Sequence, residues 1–429
     1  MQMNGMNQCR KWLLNVATFT ALLINFALSA SAQQRAVNED IFFETLFKQY
    51  PGKFDSVLRH RNDWNVQVIY TQINRGNNGI PSFQHYYFNK KSARYFYPAS
   101  TVKLPVALLT LQKMHALGRP DISINSTMIT EAAYSGQTPV YNDPNTPDGR
   151  PTIAQYIKEM LLVSDNNAYN RLYEFLGQQY INEGLKARGY TSAQILHRLG
   201  TGLSEDENRH TNPVSFYNEK RQLLLTQPLQ ANAAVYEKRN DLLGKQFYAD
   251  TILVNMPMDF SKKNRISLED LHTMLTGLLF PEKQKQEQRF NISEEERKFL
   301  LKYMSQLPGE SVYPTYDSSY HDAYVKFILC GSEKGNLPKN MRIFNKVGDA
   351  YGQLTDVAYV VDFEKKIEFF VSATIYCNND GILNDDRYDY DTIGFPFMKA
   401  LGRALYEFEV KRKKNNLPDL SSLLFTYDK

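Results

Sequence analysis

The chain of 429 residues is 42% hydrophobic and 22% charged, which is typical of an ordinary globular protein. This length can bury a large core, in one big domain or in two interleaved lobes. The formal net charge of +4 is too small to indicate a nucleic-acid partner. The basic run at residues 411–414 ends a predicted helix and is interpreted as its solvated end.

The N-terminus has the pattern of an export signal. Arg10 and Lys11 precede an apolar run from Trp12 to Leu28, and Ala30-Ser31-Ala32 offers a cleavage site of the A-x-A type. The apolar run is short for a membrane span, and small residues follow it. The sequence therefore predicts a signal peptide over residues 1–32, a mature chain without a membrane span, and a location in the periplasm or outside the cell.

Few residues favour a disulfide or a metal site. Cys330 and Cys377 would remain in the mature chain, and they could pair in an oxidising compartment or remain two buried free thiols. The seven histidines are scattered without the spacing of metal ligands, and we interpret them as structural or surface residues. The sequence predicts neither a metal nor a cofactor.

The first predicted elements are a helix and a hairpin. Apolar residues recur at helical spacing over Glu39–Tyr50. Two strands follow at Val66–Ile73 and Phe83–Phe88, with Gly76-Asn77-Asn78-Gly79 turning between them. An apolar helix then runs from Ser100 to about Leu117.

The middle of the chain is predicted to be mostly helical. Thr152 is suited to cap one helix, and Ser164-Asp165-Asn166 starts the next. Asn212-Pro213 is expected to open a further helix, with proline at its favoured first position. The segment Gln227–Asn264 shows no clear period, and we interpret it as an insertion. Two later helices are predicted from capping boxes at Ser267 and Ser293.

Strands return at the C-terminal end of the chain. Hairpins at both ends indicate one antiparallel sheet flanked by helices, with an all-helical lobe inserted between its halves. We therefore predict an α+β fold, with a catalytic domain over residues 33–429 and a site in the cleft between the lobes. The sheet lobe would comprise residues 33–99 and 340–429, and the helical lobe residues 100–339, with the insertion near 227–264. The closing elements are predicted at Arg342–Val347, Asp356–Phe363, Ile367–Tyr376 and Thr392–Val410.

Ser100 and Lys103 form the only S-x-x-K pair in the sequence. Positions i and i+3 share one face of a helix, so the two side chains can touch. A buried lysine tends to lose its proton because burial disfavours the charged form. The neutral amine can then draw the hydroxyl proton and make Ser100 a nucleophile. The N–H groups at the start of the helix suit the oxyanion that forms next.

Two further motifs follow in a fixed order, Ser164-Asp165-Asn166 and Lys346-Val347-Gly348. Together with Ser100-x-x-Lys103 they resemble the signature of the class A β-lactamases and the penicillin-binding proteins, which is S-x-x-K, S-D-N and K-T-G. The resemblance covers nearly all of the mature chain in element order, and in residue identity it is strong around the motifs. It implies a serine hydrolase of the β-lactamase and transpeptidase fold.

This resemblance implies a role for each motif residue. Ser100 would attack the substrate carbonyl, with Lys103 as a candidate for the base. Ser164 would relay a proton to the leaving nitrogen, and Lys346 would set a positive charge near the substrate carboxylate. The backbone N–H groups of Ser100 and Asp349 would form the oxyanion hole. The predicted substrate-binding residues are Asn166, Gly348, Asp349 and, at the lip of the cleft, Tyr141.

The sequence departs from the family pattern in three places. Val347 replaces the usual threonine or serine and removes a hydroxyl that would help to hold a carboxylate. Thr355-Asp356 stands where class A enzymes often carry an arginine. The loop after Arg198 lacks the glutamate that activates the deacylating water in class A enzymes. Possible replacements for that base are Glu207 and Glu205, although a charged loop face explains them equally well.

β-Lactam hydrolysis is the first functional prediction, because the helix pattern is nearest that of class A. The alternatives are a DD-peptidase or amidase acting on cell-wall peptides and a β-lactam sensor that deacylates slowly, both of which the missing glutamate favours. In each case the partner is a small-molecule β-lactam or cell-wall peptide, and the protein is expected to be a monomer.

Overall fold

The computed structural model describes residues 40–91 and 93–429, and a five-stranded antiparallel sheet lies at its centre. In chain order, the strands of this sheet are β1 (Gln67–Arg75), β2 (Pro81–Phe88), β3 (Met341–Ala350), β4 (Gln353–Asp362) and β5 (Ile367–Tyr376). Their spatial order is β3-β4-β5-β1-β2, so strands from the two ends of the chain meet where β1 pairs with β5. The predicted α+β fold class is confirmed.

Strands β4 and β5 are covered on both faces of the sheet. Every residue of β4 and β5 is buried except Tyr376, which is half-buried. Successive side chains of a strand point to opposite faces, so Phe369 and Phe370 enter two different hydrophobic cores. Helices therefore have to cover both faces of the sheet.

Each face of the sheet has its own helices. Residues 40–47 form a helix that packs Phe43 and Phe47 into the same core as Phe369, and the helix Phe395–Lys411 adds Leu401 and Leu405. On the opposite face, the helix Leu268–Leu279 contributes Leu271 and Leu275 to the core of Phe370. The predicted first helix is thus present over residues 40–47, and Glu39 lies outside the described residues.

The helices that carry the first two motifs belong to the core of Phe370 as well. They are Lys103–Ala116, Ile153–Leu162 and Asn166–Leu176. Thr152 caps the second of them as predicted, with its hydroxyl accepting a hydrogen bond of 3.1 Å from the Gln155 N–H. Further helices and helical turns lie at Asp55–His60, Ala99–Val102, Gln178–Ala187, Glu205–Arg209, Pro281–Lys283, Gln286–Gln288, Glu294–Ser305, Pro308–Glu310, Phe327–Cys330, Tyr390–Gly394 and Ser421–Leu423.

The predicted helix after Asn212-Pro213 is wrong, because this segment is the strand Val214–Tyr217. The strand pairs with Thr127–Thr130 on one side and with Leu223–Gln227 on the other. Proline suits the first position of a helix, but the valine, phenylalanine and tyrosine that follow it favour a strand. Hydrogen bonding to a strand on each side stabilises the extended conformation, so this segment is a strand.

The segment Gln227–Asn264, which showed no period, consists of short strands joined by loops. One of them, Gln246–Ala249, pairs with Ile252–Val254 and also with Ile382–Leu383 from the loop after β5. The insertion is therefore attached to the C-terminal part of the chain. The other short strands lie at His210–Thr211, Gln230–Ala231, Leu242–Leu243 and Met258–Asp259.

Cys330 and Cys377 are free thiols rather than a disulfide, and burial raises the pKa of the Cys330 thiol to about 12. Within residues 40–91 and 93–429, no helix has both the length and the apolar composition needed to cross a bilayer. The predicted signal peptide over residues 1–32 lies outside the described residues.

Candidate active site

Ser100 sits in a tight turn at the start of the helix Lys103–Ala116. The turn Ala99–Val102 is a 3₁₀ helix, and the Thr101 hydroxyl fixes it by donating to the Pro98 carbonyl at 2.7 Å. Ala99 has φ +45°, a left-handed conformation that is strained for a residue with a side chain. The hydrogen-bonded turn keeps this strained conformation and places Ser100 at the start of the helix. The unpaired N–H groups of a helix start can face an oxyanion there.

Lys103 is fully buried, and its Nζ lies 2.7 Å from the Ser100 Oγ. Its other close neighbours are the Ser164 carbonyl at 2.5 Å and the Asn166 Oδ1 at 2.7 Å. Burial, reinforced by the nearby Lys346 charge, holds the pKa of Lys103 well below its ordinary value. Burial therefore favours the neutral form of the amine, which can act as a base.

The neighbours of Lys103 determine how a neutral amine is oriented. Such an amine has two N–H donors and one lone pair. The Ser164 carbonyl and the Asn166 Oδ1 can only accept, so they take the two donors. The lone pair is then left for the Ser100 hydroxyl, which donates its proton to Nζ. This arrangement prepares Ser100 for deprotonation.

Ser164 brings a second lysine to the same place. Its backbone is left-handed, with φ +63°, and its Oγ lies 3.2 Å from the Lys103 Nζ and 2.8 Å from the Lys346 Nζ. Burial lowers the pKa of Lys346 to about 7, against the opposing charges of Asp349 and Asp356. The Ser164 hydroxyl thus joins two amines, and a proton can pass along this connection.

Residues of the motif Ser164-Asp165-Asn166 have two different tasks. Asp165 caps the helix Asn166–Leu176 by accepting a bond of 2.8 Å from the Ala168 N–H. Ser164 and Asn166 instead face Lys103. A helix cap therefore explains Asp165 but not its two neighbours in the motif.

Gly348 lets strand β3 approach the turn that carries Ser100. A Cβ at this position would lie 2.5 Å from the Pro98 carbonyl oxygen and 2.9 Å from the Ser100 nitrogen. Only glycine can make so close a backbone contact without displacing one of the segments. The contact brings the two segments that carry the predicted oxyanion N–H groups, those of Ser100 and Asp349, directly together.

The structure does not bring Glu205 or Glu207 to Ser100. The Glu207 carboxylate closes a capping box with Ser204 and accepts a bond of 2.8 Å from the Ser135 hydroxyl. The Glu205 carboxylate pairs with Lys262 at 2.6 Å. Neither residue lines the cavity that contains Ser100. Helix capping and a surface ion pair account for both carboxylates, so the possible deacylation base predicted here is not at the site.

The loop after Arg198 reaches the site, but it presents a glycine. Gly200 has φ +64°, and a Cβ on it would lie 2.9 Å from the Asn166 Nδ2. A buried ion pair of 2.8 Å between Arg198 and Glu174 fixes the start of the loop. The Asn170 side chain bonds both the N–H and the carbonyl of Leu199. A backbone, not a carboxylate, therefore occupies this position.

Tyr141 is 59% exposed, and its hydroxyl donates to the Glu131 carboxylate at 2.8 Å. It does not line the cavity of Ser100. The predicted aromatic lip is therefore not found at Tyr141.

A cavity of about 420 Å³ surrounds Ser100, which is a sufficient size for a small organic ligand. Sequence reasoning predicted Ser100, Ser164, Asn166 and Asp349 among its lining residues, but it missed the opposite wall. Most of that wall comes from residues 321–332, which have no period or motif that could have revealed it, and Phe395 comes from the start of the helix Phe395–Lys411. The missed lining residues include His321, Ala323, Tyr324, Val325, Phe327, Ser332 and Phe395.

His321, which is half-buried, is an exception to the interpretation of the histidines as structural or surface residues. It lines the cavity, and its Nδ1 is buried without a hydrogen-bond partner in the described part of the chain. Burial lowers the pKa of its imidazole, which favours the neutral ring. The described residues contain no group of three or more His, Cys, Asp or Glu side chains that could hold a metal ion.

A scan against protein-family models matches the beta-lactamase enzyme family over residues 53–408. The chain belongs to this family. The match spans both halves of the sheet and all three motifs, and it identifies the fold as that of a serine β-lactamase-like hydrolase.

Several solved β-lactamases are similar to the chain at low identity. One from Burkholderia phymatum is 15% identical, covers 86% of this chain and 98% of its own, and has a TM-score of 0.44. One from Desulfarculus baarsii is 14% identical, with 82% and 95% covered and a TM-score of 0.46. A class A enzyme from Clostridium kluyveri is 13% identical, with 81% and 97% covered and a TM-score of 0.43. No curated protein is significantly similar to the chain.

Proposed function

We propose that the protein is an exported serine hydrolase that reacts with β-lactams through an acyl-enzyme at Ser100. The observation that carries the proposal is the orientation of Lys103, whose two donors are held by the Ser164 carbonyl and the Asn166 Oδ1. Its lone pair is then directed at a hydroxyl 2.7 Å away. Membership in the family supports a small-molecule substrate.

In the proposed acylation, Lys103 takes the hydroxyl proton as the Ser100 Oγ attacks the carbonyl carbon of the substrate amide. The oxyanion faces the backbone N–H groups of Ser100 and Asp349. The C–N bond then breaks, and the leaving nitrogen takes a proton from the Ser164 hydroxyl. Lys346 returns a proton to Ser164 across the 2.8 Å contact. The products are an ester on Ser100 and a free amine.

The test is mass spectrometry of the intact protein after incubation with a penicillin. We expect the added mass of the opened drug on a peptide that contains Ser100, and no addition in Ser100→Ala. Ser123→Ala is the matched control, because Ser123 is exposed and lies outside the cavity. Labelling that persists in Ser100→Ala would show that the nucleophile is another residue.

A second candidate function is that of a DD-peptidase, an amidase on cell-wall peptides or a slowly deacylating sensor. These functions are favoured by the position of Gly200, which lies against Asn166. Because a glycine stands there instead of a carboxylate, no side chain at this position can activate a water for deacylation. A steady-state assay with a chromogenic cephalosporin separates the candidates, because sustained turnover favours a β-lactamase.

Export and a monomeric state complete the proposal. Cleavage after Ala32 would leave a mature chain that begins at Gln33. N-terminal sequencing of protein from the periplasm or the medium tests this cleavage, and sedimentation tests the monomer.

A further inference from the structure

A second and larger cavity adjoins the one that contains Ser100. Its volume is about 570 Å³, compared with about 420 Å³ for the first. Ser332 and Phe395 line both cavities. Ser332 is exposed and small, and Phe395 is half-buried, so the border between the cavities is low. An extended molecule bound at Ser100 can cross this border without displacing a large side chain.

The contacts order the residues along the cleft. Asn166 lies at one end, against Gly200 and Lys103. Ser164 lies between Lys103 and Lys346. At the other end, the ring of Phe395 lies 5.1 Å from that of Phe327, which also lines the first cavity. The second cavity therefore joins the first beside Phe327, at Ser332 and Phe395, and Asn166 does not line it.

The second cavity has a net positive lining. Its charged residues are three cations, Lys53, Lys399 and Arg403, and one acid, Glu333. Glu333 accepts a bond from Lys399 and one of 2.9 Å from Arg403. Lys53 forms no ion pair within the part of the chain that the structure describes, and its ammonium group remains available to an anion. The remaining lining is partly apolar and includes Trp64. An anionic group on a flexible, partly apolar chain fits this lining.

We infer that the natural substrate is an extended acidic peptide, whose leaving-group side crosses Ser332 and places a carboxylate in the second cavity near Lys53. The inference rests on the proposed function for the acylation of Ser100. A bicyclic β-lactam fills only the first cavity and leaves the second empty. The natural reaction is then the acylation of Ser100 by a linear amide, and β-lactams react as compact substitutes.

The test compares three thioesters that share a phenylacetyl group. Their leaving groups are mercaptoacetate, mercaptoacetyl-glycyl-glutamate and the neutral mercaptoacetyl-glycyl-glutamine amide. Ser100 takes the acyl group as the C–S bond breaks, and a chromogenic reagent measures the released thiol. We expect kcat/KM to be about tenfold higher for the glutamate compound than for the other two. Equal values for all three compounds would overturn the inference.

Lys53→Met removes the available charge and should reduce the preference for the glutamate compound by about threefold or more. Lys48→Met is the matched control, because Lys48 is exposed on the same N-terminal segment and lies outside both cavities. The control should retain the preference of the unmodified chain. A preference unchanged in Lys53→Met would also overturn the inference.

A binding measurement separates this inference from the proposed function. The sequence contains two tryptophans, and a chain that begins at Gln33 retains only Trp64, in the wall of the second cavity, as the fluorescent reporter. In the Ser100→Ala chain, acetyl-glycyl-glutamate should change Trp64 fluorescence, and Lys53→Met should weaken the binding. If this holds but no thioester or β-lactam acylates Ser100, the proposed function fails and the second site stands. If the peptide does not bind, the inference is overturned whether or not β-lactams acylate Ser100.

Discussion

Two buried lysines with lowered pKa values meet at Ser164. Burial lowers the pKa of both amines, but the carboxylates of Asp349 and Asp356 support the charge on Lys346. That charge in turn lowers the pKa of Lys103 further. The pair can therefore hold a neutral base beside a charged proton donor, which is the combination that acylation requires.

This pairing predicts the pH dependence of acylation. The rate should rise with pH as Lys103 loses its proton and should fall as Lys346 loses its own, at about pH 7 in the free enzyme. Arginine stays charged throughout, so Lys346→Arg should abolish the fall at alkaline pH, whatever its effect on the maximum rate. The measurement is kcat/KM for a chromogenic cephalosporin across pH. An alkaline limb that is unchanged in Lys346→Arg would assign it to another group.

Gly348→Ala should separate strand β3 from the turn of Ser100. The added Cβ would lie 2.5 Å from the Pro98 carbonyl oxygen, and backbone cannot yield there as a flexible side chain would. We expect acylation to slow by about a hundredfold and unfolding to become easier by roughly 1–3 kcal/mol. Gly335→Ala is the control, because nothing lies within 4 Å of a Cβ at that position. Equal acylation rates in both variants would contradict the role of this contact.

The site residues that the sequence predicts are of two kinds. Some have partners a few residues away in the chain, and the others belong to motifs that follow one another in the order of the family signature. Ser100 and Lys103 are one helical turn apart, and their contact follows from helix geometry. His321 reaches the same cavity from an irregular segment and Phe395 from the start of the helix Phe395–Lys411, and no local pattern encodes their approach. The exclusion of Glu205 and Glu207 depends on partners such as Lys262, which only the folded chain brings to them.

At the scale of elements, the strands that were predicted best are those with the strongest local signals. Strand β5 has the predicted bounds Ile367–Tyr376, because polar turns on both sides bound a segment rich in aromatic and β-branched residues. The strand Val214–Tyr217 was missed because proline gave a helix-start signal, and its pairing partners lie elsewhere in the chain. The strands of the insertion at 227–264 could not be predicted, because most of them are two to four residues long and too short to show a periodic pattern.

The loop that presents Gly200 predicts slow deacylation. An ester on Ser100 is hydrolysed quickly only if a base within hydrogen-bond reach activates a water. The buried pair of Arg198 and Glu174 holds the loop, and the carboxylates after it are bonded elsewhere. We expect a burst of product with a chromogenic cephalosporin, followed by slow turnover with acyl-enzyme present at steady state.

Glu207→Gln tests the assignment of that carboxylate to a helix cap. The deacylation rate should be unchanged, since Glu207 does not line the cavity. Rapid turnover without a burst would mean that another base serves the ester. Trapped acyl-enzyme in Glu207→Gln would identify that base as Glu207.

At the scale of the whole molecule, a buried polar network ties the wall of the cavity to the sheet. The Lys326 Nζ donates to the Met304 carbonyl at 2.6 Å and to the Asn345 Oδ1 at 2.7 Å. Asn345, on strand β3, donates to the Asp356 carboxylate at 2.8 Å, and Asp356 accepts a bond of 2.9 Å from the Ile328 N–H. This network fixes the strand that carries Lys346. It contains two ionisable groups in the core, Lys326 and Asp356, and their titration makes the stability of the protein depend on pH.

Stability should therefore increase with pH just above neutrality. Burial lowers the pKa of Lys326 and of Lys346 to about 7, whereas both amines stay protonated to a much higher pH in the unfolded chain. Above pH 7 the unfolded chain then binds more protons than the folded one, and each lysine adds up to ~1.4 kcal/mol to the free energy of unfolding per pH unit. Asp356, with a pKa raised to about 6, has the opposite effect, but that effect is confined to lower pH. Between about pH 7 and 8, where most unfolded cysteines still keep their protons, the urea midpoint should rise, and Lys326→Met should reduce the slope. A midpoint that is flat or falling over this range would show that the buried lysines keep their protons.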